Sequence, residues 1–254
     1  MRIVVTNCNT TAGMTEEIVQ GARSAAAPGT TVTGLTPAWG PESAEGWLDS
    51  HLSAAAVLDT LRTYDGPPYD AVVLAGFGEH GREGVRELVD VPVVDITEAA
   101  AHLACLLGRR YGVITTLDRS RGQIEDSLET AGVARNCATV LGTGLAVLDL
   151  TTDPTRTEAA FLAAAAQAQA AGAEVLILGC AGMTGLRRKL SSQLRLPIVD
   201  GVSAAVKLAE SLITLGLTTS RAGSYARPLP KRRVWGRPEG GQLLPTSQSP
   251  RNHK

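Results

Sequence analysis

Cys180 is the residue best placed to do chemistry, because of the stretch that carries it. Val175-Leu-Ile-Leu-Gly-Cys-Ala-Gly-Met-Thr-Gly185 reads as four apolar residues of a buried parallel strand, then a tight turn into the next helix. That turn puts a thiol at a strand's carboxyl end and a helix's amino end. There, backbone N–H groups and the helix dipole lower a thiol's pKa and attract anions. The plainer alternative is a small buried hydrophobe. A second group of interest is Gly76-Phe-Gly-Glu-His-Gly81, which also succeeds an apolar run and carries Glu79 and His80. It matches G-x-G-x-x-G, and Asp95 stands at the end of the next strand, as in a dinucleotide-binding turn. The helix behind it, however, has room for only about two turns and contains Gly84. The motif also lies on the third strand rather than the first, so no nucleotide cofactor is expected.

The four cysteines (Cys8, Cys105, Cys137 and Cys180) are widely spaced, without CxxC pairs or His-Cys clusters. This argues against disulfides and against a metal site. A formal net charge of −1 and 4% aromatic residues give no reason to expect a nucleic-acid partner. No apolar run approaches the ~18 residues of a membrane span, and Met1-Arg-Ile-Val-Val leads straight into a strand rather than a signal peptide. The expectation is a cytoplasmic α/β protein whose partner is a small molecule.

Short β-branched strands alternate with helices along the chain, which implies parallel sheets with right-handed crossovers. Strands are expected over Arg2–Thr6, Thr30–Leu35, Tyr69–Ala75, Pro92–Asp95, Arg110–Thr115, Ala138–Leu141, Glu174–Leu178 and Pro197–Asp200. The pattern also repeats. Tyr69-Asp-Ala-Val-Val-Leu-Ala-Gly76 aligns with Ala173-Glu-Val-Leu-Ile-Leu-Gly-Cys180, and Val91-Pro-Val-Val-Asp95 with Leu196-Pro-Ile-Val-Asp200. Two similar Rossmann-like or flavodoxin-like parallel-sheet domains, related by a pseudo-twofold with the active site in the cleft between them, are expected. Their boundaries are 1–97 plus 206–235 for the first domain and 98–205 for the second. The basic, Pro-rich segment from Tyr225 to Trp235 is expected to lie along the other domain or a neighbouring subunit, and 236–254 to be a disordered tail. Thr10 and Thr11 are expected to cap the first helix.

With these residues in hand, the chain resembles the cofactor-independent Asp/Glu racemase superfamily, and within it the hydantoin/allantoin racemases. The resemblance runs from Met1 to about Arg233. It rests on Asn7-x-Asn9-Thr10-Thr11 with Met14-Thr15, on Gly40-Pro41-x-Ser43-x-Glu45-Gly46, and on Phe77-Gly78-x-x-Gly81. Pro-x-Val-Asp-x-x-x-Ala-Ala in both halves and Leu178-Gly-Cys-Ala-Gly-Met183 complete it. It implies an isomerase, no cofactor, a homo-oligomer, and two cysteines working from opposite faces of the substrate's stereocentre. The family's usual loop resembles Ala-Cys-Phe-Gly-Asp-Pro-Gly, whereas this chain has Ala75-Gly-Phe-Gly-Glu-His-Gly81. Gly76 therefore stands at the first catalytic cysteine, and Cys8 where the family usually has proline.

The implied reaction is racemisation of 5-substituted hydantoins. A proton leaves C5 to give a planar enolate, and one returns on the other face. Cys180 is one acid/base; His80, then Glu79, are the candidates for the other, with Cys8 read as a tolerated proline replacement. Substrate-binding groups are expected at Asn9, Thr10, Gly76, Phe77, Thr115, Thr116, Ala181 and Gly182, whose backbone N–H groups and side chains can hold an enolate oxygen. Gly76 and Phe77 point to a roomier or more apolar pocket beside one face than a cysteine would leave, and so to alkyl or aromatic side groups rather than allantoin. Two alternatives stand beside this: a one-thiol decarboxylase of the arylmalonate type or other one-base isomerase, and a catalytically silent small-molecule binding protein.

Overall fold

The computed structural model describes residues 1–186 and 190–233. The expected tail at 236–254, the end of the first domain at Val234–Trp235, and the middle of a short helix expected over Leu186–Gln193 lie outside the described residues.

The first half runs β1 (Arg2–Asn7), α1 (Ala12–Ala25), β2 (Thr31–Leu35), α2 (Trp47–Arg62), β3 (Ala71–Ala75), α3 (Arg82–Leu88) and β4 (Val93–Asp95). After α4 (Ile96–Leu107) the same kind of alternation resumes with β5 (Tyr111–Thr115), α5 (Arg121–Thr130), β6 (Cys137–Gly142), α6 (Pro154–Ala170), β7 (Val175–Leu178) and β8 (Ile198–Asp200). Helix α7 (Gly201–Thr214) comes next. Two parallel four-stranded sheets result, ordered β2-β1-β3-β4 and β6-β5-β7-β8, so the fold class is α/β as expected. Strands β3, β5 and β7 are buried throughout, which is why they read as near-continuous apolar runs.

The crossover helices tie the halves together. Helix α4 leaves the first sheet and packs on β7 and β8; helix α7 leaves the second and packs on β3 and β4. The repeated Pro-x-Val-Asp serves this exchange. Asp95 accepts the backbone N–H groups of Thr97 and Glu98, and Asp200 those of Val202 and Ser203. Each caps a crossover helix. A Cβ added at Gly201 would stand 2.8 Å from the Ile96 carbonyl oxygen, so the two helix starts touch. One continuous apolar layer includes Ile3, Val5 and Val73 of the first sheet with Val113, Val175 and Ile177 of the second. At about 1.5–3 kcal/mol for each fully buried Val, Leu or Ile, that layer outweighs any polar link between the halves.

Two local expectations are corrected. Thr11 makes no side-chain cap on α1; its hydroxyl donates instead to the Glu42 carbonyl at 2.7 Å. Tyr225 lies on the first half itself, where its hydroxyl bonds Glu83 and the Arg86 guanidinium sits 5.7 Å from its ring centre. Thr219 (to the Val91 carbonyl, 2.9 Å) and Arg221 (to Asp90, 2.8 Å) strap the same segment to the end of α3 and the start of β4. No described helix is long and apolar enough to cross a membrane.

Candidate active site

The carboxyl ends of β1, β3, β5 and β7 face one cleft. From the first half come Asn7, Cys8 and Asn9 after β1, and Gly76, Phe77 and His80 after β3. The second half supplies Thr115 and Thr116 after β5, and Gly179, Cys180 and Ala181 after β7. Ser120, Gln123 and Val147 close one wall; Met14 and Ala44 close the other. Gly179 is required where β7 turns into the cleft, because an added Cβ would lie 2.9 Å from the Ile114 carbonyl oxygen.

The thiol of Cys180 is pushed up to about 11, first by burial; the Glu45 charge adds to the rise, and a hydrogen bond from the Gly182 backbone opposes it. The expected lowering is thus overturned. Cys180 leads into a short 3₁₀ turn, Ala181–Leu186, rather than an α-helix with a developed dipole, and desolvation outweighs its N–H groups. A thiol raised this far holds its proton at neutral pH.

Opposite it, Gly76 leaves no vacancy. A Cβ built there would meet His80 Cδ2 at 2.2 Å, Cys8 Cβ at 2.7 Å and Cys8 Sγ at 2.9 Å. The imidazole and a second thiol occupy the ground a cysteine at this position would need, so the roomy pocket expected beside Gly76 is absent. Cys8 is pushed up to about 12 by burial and then by Cys180 across the cleft. His80, 5% exposed, is pushed down to about 4 because burial disfavours the imidazolium; a bond to the Phe77 backbone works the other way. Its Nδ1 lies 3.2 Å from Ser50 Oγ, which also accepts Gln123 Nε2 at 2.6 Å. A neutral ring is therefore held by one group from each half.

Of the other expected residues, Asn9, Phe77, Thr115, Thr116 and Ala181 line the cleft. Asn9 accepts the N–H of Thr11 at 3.0 Å, and the Thr115 hydroxyl donates to the Gly179 carbonyl at 3.1 Å, tying β5 to β7 beside the thiol. Three do not line it. Thr10 turns its hydroxyl to the Pro41 carbonyl. Gly182 stands behind the thiol, where an added Cβ would be 3.8 Å from Sγ. The Glu79 carboxylate is drawn onto the backbone N–H groups of Gly81 (2.5 Å) and Arg82 (2.6 Å) at the start of α3. Glu79 also has φ 69°, the one non-glycine positive φ among the described residues. Strained backbone of this kind gathers at functional loops.

Sequence reasoning did not find Ser50, Gln123 and Val147. Each is an ordinary residue on an amphipathic helix or in a loop, and only the meeting of the halves gives it a role. The dinucleotide reading of Gly76–Gly81 has no support in the geometry: the Gly78 N–H is spent on Thr97 Oγ1 at 2.8 Å, and Asp95 caps α4. Among the described residues no group of three or more His, Cys, Asp or Glu side chains is arranged to hold a metal ion.

Comparisons with known proteins identify the family and the fold. The family model for Asp/Glu/Hydantoin racemase matches residues 3–209. A crystal structure of allantoin racemase AllR from Pseudomonas fluorescens is 52% identical, with a TM-score of 0.90 over 92% of this chain and 100% of that one. Allantoin racemase from Klebsiella pneumoniae is 37% identical, with a TM-score of 0.86 over 92% and 96% of the two chains. A hydantoin racemase of Rhizobium meliloti is 39% identical over 90% of this chain and 95% of its own length. The chain belongs to the Asp/Glu/hydantoin racemase family, and its activity class is that of an isomerase, a racemase.

Proposed function

We propose that this protein racemises 5-substituted hydantoins by exchanging the C5 proton, without a metal or organic cofactor. The observation that carries the reading is one cleft in which Cys180, from the end of β7, faces the Gly76–His80 loop and Cys8, from the ends of β3 and β1. A carbon beside a carbonyl loses its proton to a base on one face, the electron pair moves into the enolate, and an acid on the other face returns a proton. Backbone N–H groups of Phe77 and Ala181, with Asn9 and Thr116, are the donors that would hold the enolate oxygen. Cys180, protonated at rest, acts as the acid in one direction, and the thiolate left once it has given up that proton acts as the base in the other. The Gly76–His80 loop supplies the second carrier. His80 is favoured by its position, neutral and against the ground of the missing thiol; Glu79 is the other titratable side chain of the loop.

Allantoin, the hydantoin with a polar ureido side group, is the first substrate to try. The filled space at Gly76 and the polar wall of Ser120 and Gln123 support it, as does the 52% identity to an allantoin racemase. We also infer that the halves are related by a pseudo-twofold through the cleft, which their identical strand order supports. A homo-oligomer is the assembly we propose; the exposed stripe of Trp47, Leu48 and Leu52 on α2 supports it, and light scattering tests it.

The test tracks single-enantiomer allantoin and 5-benzylhydantoin in D₂O by proton NMR and optical rotation, with EDTA present. Loss of the C5 proton with rotation decaying to zero is expected. Glu79→Gln and His80→Asn then identify the second carrier, as the variant that loses exchange from one enantiomer. Exchange with rotation retained would return the one-thiol chemistry, and no exchange on either substrate would leave only binding.

A further inference from the structure

The cleft as it stands is too small for this class of substrate. Its interior volume is about 30 Å³, room for about two water molecules, whereas a hydantoin is a five-membered ring with two carbonyl oxygens and a side group. Entry requires opening, and the polar links that span the mouth decide where.

Glu45 is the outermost of these. The segment between β2 and α2 is anchored on its own half, where the Thr10 N–H donates to the Pro41 carbonyl at 3.0 Å and the Thr11 hydroxyl to the Glu42 carbonyl at 2.7 Å. Three residues on, it reaches across: Glu45 Oε1 accepts the Val147 backbone N–H at 2.8 Å. Val147 lines the cleft and begins the 3₁₀ turn Val147–Thr151. Leu150 of that turn abuts Gly182, as does the sulfur of Cys180: an added Cβ at Gly182 would lie 3.8 Å from each. The turn that Val147 begins thus packs beside Cys180.

We propose that Glu45 is the latch of the cleft and a positioning residue for Cys180: its bond to the Val147 N–H holds the 147–151 turn over the thiol, and substrate enters when that bond breaks. The charge on Glu45 also acts on Cys180, in the direction that keeps the thiol protonated. Glu45 is the charged group that acts on Cys180, and Cys180 in turn acts on Cys8 across the cleft. Glu45 itself is flanked by Asp49, whose carboxylate accepts its N–H at 3.1 Å, and by Arg119, whose guanidinium lies against Gly46. A latch of this kind separates two effects that one substitution can split. Glu45→Gln keeps an acceptor for Val147 and removes the charge; Glu45→Ala removes both.

The proposal rests on the cleft being the substrate site, and its test needs no turnover, so it can fail while the racemase reading stands, and the reverse. The full-length protein and both variants are alkylated with iodoacetamide across pH 7–11, and modification at Cys180 is monitored by peptide mass spectrometry. The midpoint of the rate–pH profile is expected to move to lower pH in both variants. Across this range the rate is expected to rise in both variants as the charge is lost, and about tenfold further in Glu45→Ala than in Glu45→Gln, the size of a lost charge-assisted hydrogen bond. Rates in Glu45→Ala within about twofold of those in Glu45→Gln overturn the latch.

Discussion

At the scale of residues, the decisive feature is a filled vacancy. Gly76 has no side chain, yet His80 and Cys8 crowd the place where one would stand. Gly76→Cys is therefore expected to destabilise the protein by about 1–3 kcal/mol rather than restore a second thiol. Adding His80→Ala relieves the closest clash, and a double-mutant cycle in urea should find the pair non-additive. Cys180→Ala is expected to lower proton exchange at C5 by at least about 10²–10⁴-fold, the usual worth of a positioned acid/base. His80 also carries a pH signature. Its folded pKa of about 4 lies below the ordinary 6.5, so the unfolded chain binds the proton more readily and stability falls as pH drops from 6.5 through 4. One group contributes at most roughly 3 kcal/mol across that window. The urea stability of His80→Asn should be correspondingly flatter than wild type over the same range.

At the scale of elements, the two Pro-x-Val-Asp segments place the helices that exchange halves. Asp200→Ala removes one cap and is expected to cost about 1 kcal/mol in urea unfolding. Asp95→Ala should cost more, about 2 kcal/mol, because Asp95 also acts on buried Arg82, although burial pushes its carboxyl up to about 7 and leaves it only partly ionised at neutral pH. Arg82 is 1% exposed, its Nη1 makes no hydrogen bond, and neither does Asp95 Oδ2. A similar loss in the two variants would mean that Glu83, bonded to Arg82 Nε at 2.6 Å, already suffices to hold the guanidinium. Helix α3 matters for a different reason: it is short, its N-terminal groups hold Glu79, and the segment Thr218–Tyr225 straps its far end.

At the scale of the molecule, two sheets share one apolar layer, and polar links across the cleft set how closely the mouth fits. Gln123 reaches from α5 to Ser50 and to the Glu79 carbonyl at 3.2 Å. Since the shared core stays intact, Gln123→Ala is expected to leave thermal stability within about 1 kcal/mol of wild type. It should instead speed hydrogen exchange at Phe77–Gly81 and raise KM in the racemase assay. Slower exchange, or a collapse of global stability, would assign Gln123 to the core instead.

The succession of strands and helices, the repeat and the prominence of Cys180 were all legible in the sequence, because they arise from local rules. Apolar runs of four or five residues make buried strands, alternation with helices makes the sheets parallel, and a repeated Pro-x-Val-Asp marks equivalent strand ends. The pKa of Cys180 was not legible. Its direction depends on how much protein surrounds the sulfur, a sum over residues distant in the chain, and burial reversed what the turn by itself would do. Nor could the sequence tell that His80 and Cys8 fill the ground beside Gly76, since residues 8, 76 and 80 come together only when β1 and β3 pair in register. Ser50, Gln123 and Val147 were invisible for the same reason. The sequence by itself determined the two parallel sheets and the loops at their ends; the tertiary structure alone decided which side chains meet across the cleft, because that contact depends on how two halves dock through a shared core and not on any local pattern.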